Sequence, residues 1–76
     1  MKNVEIYTRP GCGFCVAAKT YLEKKKIPYQ EYNTVIDNKR LTQMRANAPQ
    51  KTFPQVVINN TWIGGFEELF HYDLTA

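Results

Sequence analysis

Two cysteines, Cys12 and Cys15, form a single Cys-x-x-Cys, and no other residues of this 76-residue chain combine reactive types with so tight a spacing. A bridge closing so short a loop adds little stability, because the loop-closure entropy it removes shrinks with loop length. Secreted mini-proteins held by disulfides carry four or more cysteines at scattered spacings. A tetrahedral zinc site needs four ligands, and His71 is the one histidine left to join the pair, so no metal ligands are expected. Two inert, buried thiols would fit poorly beside Gly11 and Gly13, which expose the backbone. What remains is thiol–disulfide exchange, in which a thiolate attacks a disulfide sulfur.

That chemistry depends on where the pair sits. Val4, Ile6 and Thr8 alternate with more polar neighbours and predict a strand over residues 3–8. Arg9-Pro10-Gly11 breaks it, and from Cys12 or Gly13 to about Lys26 the pattern turns helical, with Cys15, Ala18, Tyr21 and Leu22 on one face. Cys12 therefore falls at the helix start, where unpaired N–H groups and the positive end of the dipole favour thiolate over thiol. Arg9 adds a fixed positive charge nearby. Cys15 lies one turn further in, less exposed but within reach of a disulfide formed on Cys12, so Cys12 attacks and Cys15 resolves.

Ile27-Pro28 stops the first helix, and Tyr29 to Asn33 reads as a second strand. Asp37 is a candidate N-cap for a helix with Leu41, Met44 and Ala48 as its apolar stripe, ended by Pro49. Val56-Val57-Ile58 and Thr61-Trp62-Ile63 flank Asn59-Asn60, a two-residue hairpin turn. Phe66 to about Tyr72 makes a final helix with Glu67 and Glu68 in its first turn. The order is β-α-β-α-β-β-α. A helical crossover makes the first two strands parallel, the hairpin makes the last two antiparallel, and the expected product is one α/β domain over 1–76 with a four-stranded mixed sheet.

Composition narrows the function. The chain is 43% hydrophobic with a net charge of +3, too apolar for disorder, and no apolar run approaches the roughly 18 residues of a spanning helix. Glu5 interrupts the place where a signal peptide would be apolar, so a cytoplasmic protein without membrane contact is expected. Residues 1–45 carry nine basic and four acidic side chains, yet only Lys24-Lys25-Lys26 forms a run. Three charges make a weak phosphate footprint and suit a solvated helix C-terminus, so no nucleic-acid partner is expected. Thr52-Phe53-Pro54 precedes the third strand, where the proline is either an ordinary strand start or a cis residue that turns the Phe53 backbone outward.

Taken together, Tyr7-Thr8-Arg9, Cys12-Gly13-Phe14-Cys15, Thr52-Phe53-Pro54-Gln55 and Gly64-Gly65-Phe66-Glu67-Glu68 resemble the glutaredoxin family of dithiol type, in order and spacing along nearly the whole chain. The resemblance implies a thioredoxin-like fold and an enzyme that reduces protein disulfides and glutathione mixed disulfides, with glutathione as co-substrate and no permanently bound cofactor. It implies that Pro54 is cis and that the Phe53 backbone pairs with the cysteinyl unit of glutathione. Arg9 would meet the glycine carboxylate, with Arg40 a weaker candidate. Gly65, Phe66 and Glu67 open the last helix toward the γ-glutamyl carboxylate, and Glu67 or Glu68 would take the ammonium. Phe14 completes the glutathione-binding set. Without the cysteine motif, Glu67 and Glu68 would read as acids matching the helix dipole.

The departures keep alternatives open. Dithiol glutaredoxins commonly have Pro-Tyr between the cysteines; Gly13-Phe14 loosens the turn and lacks the tyrosine hydroxyl. Phe53 replaces a usual Val or Ile, and Glu-Glu stands where Asp is typical. Gly13-Phe14 also matches the monothiol class, which holds a 2Fe-2S cluster between two protomers with two glutathiones, but Cys15 retains the resolving thiol and the Arg9–Cys12 segment lacks that class's insertion. A small redoxin serving ribonucleotide reductase from thioredoxin reductase usually shows Trp-Ser-Gly-Phe near the last helix, where this chain has Trp62-Ile63-Gly64-Gly65-Phe66. The expected partners are glutathione, disulfide-containing or glutathionylated proteins and, among them, ribonucleotide reductase; a monomer is expected.

Overall fold

The computed structural model describes residues 3–72. Seven elements follow in the order β1 (Val4–Thr8), α1 (Gly13–Lys24), β2 (Gln30–Asn33), α2 (Asn38–Asn47), β3 (Gln55–Ile58), β4 (Thr61–Gly64) and α3 (Phe66–His71). The sheet order is β2-β1-β3-β4, with β1 parallel to β2 and antiparallel to β3, and β3 antiparallel to β4. This is the mixed four-stranded arrangement that the strand and helix patterns predict, and the thioredoxin-like fold that the family resemblance implies. No helix among the described residues is long and apolar enough to cross a membrane.

Strand alternation splits the interior into two layers. Val4, Ile6, Val56 and Ile58 meet Ala18 and Leu22 of α1 and Leu69 of α3 in an aliphatic core. Tyr7 and Val57 meet Met44 of α2 on the other face, with Tyr32, Leu41, Phe53 and Trp62 packed around them. Each fully buried aliphatic side chain contributes about 1.5–3 kcal/mol, so the first layer anchors α1, and with it the cysteine turn.

Helix ends explain the differences from the sequence expectation. Helix α1 stops at Lys24 rather than near Lys26. Lys26 takes φ 58, its N–H donates to the Glu23 carbonyl at 3.0 Å, and the Ile27 N–H donates to the Leu22 carbonyl at 2.9 Å. That pair of bonds is a Schellman ending with lysine where glycine is usual, and Ile27 packs back onto the core containing Leu22. Helix α3 likewise ends at His71, one residue before Tyr72. The Asp37 carboxylate caps α2 by accepting from the Arg40 N–H at 3.2 Å. Asn59 and Asn60 turn the hairpin with φ 51 and 67, the left-handed values a tight turn of this kind needs.

Candidate active site

Cys12 is the N-cap of α1 in extended conformation, φ −100 and ψ 108, and its Sγ accepts the Cys15 N–H at 3.2 Å. One of the unpaired amides of the first helical turn, that of Cys15, thus meets a sulfur rather than a hydroxyl or carboxylate. Cys12 is half-buried, whereas Cys15 is 2% exposed. Burial, reinforced by the Cys12 side chain, pushes the Cys15 thiol up to about 12; the Arg9 backbone and Lys19 act weakly the other way. The two sulfurs therefore divide into an accessible one and a withheld one, the division expected of attacking and resolving thiols.

On one side of the turn lies a groove of about 640 Å³. Phe14, Phe53, Pro54, Gly65, Phe66, Glu67 and Glu68 all line it, which brings together seven of the eight residues singled out for substrate binding. The Phe53–Pro54 peptide is cis. Arg9, the eighth, lines the neighbouring pocket and reaches this groove by placing its guanidinium 5.4 Å from the centre of the Phe53 ring. Close backbone approach shapes the floor. A Cβ on Gly65 would stand 3.2 Å from the Pro54 carbonyl oxygen. At Gly64, with φ 122, it would meet the Glu68 carboxylate at 2.7 Å.

The two acids of α3 have different surroundings. Glu68 Oε1 accepts the Gly65 N–H at 2.7 Å, the return half of a capping box whose other half a glycine has no side chain to make. Glu67 and Glu68 are both exposed on the groove rim, so the bond to the Gly65 N–H is what distinguishes Glu68. The spacing Gly65-x-x-Glu68 carries that signal in the sequence, since an acid at the third helical position can fold back on the cap.

Behind the turn is a second pocket of about 430 Å³, lined by Cys12, Cys15, Lys19 and Glu31 among others. Glu31 accepts from the Thr8 hydroxyl at 2.7 Å and pairs with Lys19 at 3.2 Å. The Thr8 hydrogen bond, helped by Lys19, outweighs burial and holds the Glu31 carboxyl below its ordinary value. Sequence reasoning missed this network, as it missed Phe70 and Gln50 on the groove wall, while Thr52 entered only as part of the Thr52-Phe53-Pro54 motif. Arg40 goes elsewhere. It lies 3.8 Å from the centre of the Tyr32 ring and donates to the Tyr7 hydroxyl at 3.4 Å, in a third pocket with Glu5 and Trp62. Among the described residues no cluster of three or more His, Cys, Asp or Glu side chains is placed to hold a metal ion.

The sequence model of the glutaredoxin family matches residues 4–63, from β1 into β4. The chain belongs to the glutaredoxin family. It is 39% identical over 72 residues to glutaredoxin 1 of Rickettsia bellii, covering 90% of this chain and 74% of that protein. Against glutaredoxin 3 of Escherichia coli strain K12 it is 34% identical over 73 residues, covering 96% and 88%. The crystal structure of glutaredoxin 1 from Francisella tularensis, complexed with cacodylate, superposes with a TM-score of 0.73 at 32% identity, covering 92% of this chain and 90% of that one. As a glutaredoxin the chain is a thiol–disulfide oxidoreductase, and both cysteines of a dithiol site are present and close together.

Proposed function

We propose that this glutaredoxin is a glutathione-dependent reductase of glutathione mixed disulfides and protein disulfides. One observation carries the reading: an accessible sulfur at a helix N-cap beside a groove, with a second sulfur buried one turn behind it. Cys12 attacks a protein–glutathione mixed disulfide, forms the Cys12–glutathione disulfide and releases the protein sulfur, which takes up a proton. A second glutathione thiolate then attacks the glutathione sulfur, giving glutathione disulfide and regenerating Cys12. With a protein disulfide, Cys12 forms the mixed disulfide and Cys15 displaces the substrate sulfur. The two electrons come from the two enzyme thiols, and the product is the Cys12–Cys15 disulfide.

The groove supports glutathione as the co-substrate. Its ends need opposite charges, and Arg9 beside Phe53 is suited to the glycine carboxylate while the exposed Glu67 is suited to the γ-glutamyl ammonium. Glu68 serves by holding the Gly65 N–H and so the start of α3. Pro54 and the Phe53 backbone receive the cysteinyl unit as an added strand would be received, and Phe14, Gly65 and Phe66 close around it. The expected setting is a cytoplasmic monomer acting on glutathionylated or disulfide-bearing proteins, ribonucleotide reductase among them.

The test is NADPH oxidation coupled through glutathione reductase, with glutathione and a small glutathione mixed disulfide as substrates. Turnover in wild type and in Cys15→Ser, with none in Cys12→Ser, supports the reading. No turnover in wild type overturns it. A coloured dimer after treatment with iron, sulfide and glutathione would then point to the 2Fe-2S carrier, whose further ligands would have to come from outside the chain.

A further inference from the structure

The groove beside the cysteine turn is rich in aromatic rings. Four phenylalanines (Phe14, Phe53, Phe66 and Phe70) line it, Glu67 and Glu68 stand on its rim, and Arg9 reaches it only over the Phe53 ring, 5.4 Å from the ring centre. Phe14 is 65% exposed and Phe70 55%. The Phe14 and Phe66 rings stack at 6.3 Å, and Phe66 and Phe70 lie 6.1 Å apart. An aromatic shelf therefore runs without a break from the cysteine turn along α3. Exposed apolar area of this kind, continuous with a reactive centre, marks a docking surface. Phe70 lies outside the residues assigned to glutathione, so the shelf extends past that ligand.

The charge selects the occupant. Ring faces are negative and attract cations, and a carboxylate on the rim adds to that preference. Of the two acids Glu68 is committed to Gly65, which leaves the exposed Glu67 to face a ligand. Arginine and lysine suit such a place, because their alkyl stems cover apolar surface while their heads stay polar. We propose that the groove docks the disulfide-bearing segment of a partner protein in place of glutathione, with a basic residue beside the target cysteine lying over Phe14 and Phe70 and its charge at Glu67. This rests on the reading that Cys12 attacks substrates held in the groove.

Reduced protein, without glutathione, is mixed with short peptides that each contain one intramolecular disulfide and carry Arg, Ala, Leu or Glu on either side of one cysteine. Peptide reduction is followed by acid quench, alkylation and mass measurement. Arg on one side is expected to react about tenfold faster than Glu at that position, and faster than Ala or Leu. Phe70→Ser, with Phe70→Leu as the variant that keeps an apolar side chain there, is expected to remove the Arg-over-Leu advantage while turnover of a small glutathione mixed disulfide stays unchanged. The proposal is overturned if Glu equals Arg at both positions, if both Phe70 variants keep the Arg advantage, or if wild type reduces none of the peptides. It is also overturned if sedimentation shows a dimer that Phe70→Ser disperses, which would make the shelf a contact between copies. Failure of the glutathione reading would show separately, as lost wild-type turnover of the small mixed disulfide.

Discussion

The two sides of the Cys12–Cys15 turn differ in nearly every property that governs sulfur chemistry. Toward the groove, aromatic rings and an exposed carboxylate surround open space of about 640 Å³. Toward the back, a smaller pocket holds Glu31 bonded to both Thr8 and Lys19, and both cysteines line it, Cys12 half-buried and Cys15 buried. A single helical turn separates the cysteines, so sequence distance has no part in the contrast. It comes from what packs on each side: α3 and the Phe53–Pro54 loop on one, the ends of the parallel strands β1 and β2 on the other. The arrangement teaches that one turn suffices to give two identical thiols different roles, provided the helix start presents one and the sheet covers the other.

The largest expected effects break that contrast at its sulfurs. Cys12→Ser is expected to abolish reduction of both glutathione mixed disulfides and protein disulfides, read in the coupled NADPH assay. Cys15→Ser is expected to spare the first and remove the second; loss of both would mean that the buried thiol shares in the primary attack.

Next in size is the backbone just ahead of α3. Gly64→Ala places a methyl group on a backbone at φ 122 and against the Glu68 carboxylate. We expect a loss of about 1–3 kcal/mol in urea unfolding, together with weaker glutathione binding as α3 loses the bond that holds its start. Unchanged stability would show that Glu68 swings aside at little cost.

A smaller effect tests the back of the turn through pH. The Cys15 thiol is raised from 9.0 to about 12 in the fold, so the folded protein keeps a proton that the unfolded chain releases. Its stabilising contribution is complete below about pH 9 and declines as pH rises toward 12. Tyr29, raised to about 12 chiefly by burial and the Glu23 hydrogen bond, titrates in the same range. Comparing urea midpoints of wild type and Cys15→Ala from pH 8 upward cancels the tyrosine, and wild type is expected to lose more. Parallel curves would show that Cys15 ionises as readily folded as unfolded.

The smallest effect lies away from both sides and serves as a control. Lys26→Gly relieves a left-handed lysine at the end of α1 and is expected to raise stability by about 0.5–1 kcal/mol without changing turnover. A change in rate would mean that the far end of α1 influences the turn at its start.

Much of this was legible beforehand because it depends on local physics. Alternation, proline breaks and an Asn-Asn turn specify strands, stops and a hairpin within a few residues of themselves. The parallel and antiparallel pairings come from the connections, and the gathering of Phe53 and Gly65–Glu68 at one groove comes from the family likeness, which supplies what periodicity does not. The missed features are non-local or conditional. Lys19 and Glu31 meet only because β2 lies beside β1 in one register, with Tyr7 opposite Tyr32. Lys26 lacks the glycine that would announce a left-handed ending, and Ile27 docking on the core fixes it instead. Arg40 is drawn away by the Tyr32 ring in β2 and by the Tyr7 hydroxyl in β1, the second of them distant from it in sequence.

Thr34 follows β2, and both its N–H and its hydroxyl donate to the Thr8 carbonyl, each at 2.9 Å. The last acceptor of β1 is thus clamped twice from the neighbouring strand, immediately before the chain leaves the sheet as Arg9-Pro10-Gly11. Amide hydrogen exchange should divide sharply at that point. The Thr34 amide is expected to exchange only when the sheet itself opens, and the amides of Gly11 and Cys12, beyond the last strand pairing, before it. A doubly held carbonyl thus sets the boundary between the slowly exchanging sheet and the turn that carries the reactive sulfur.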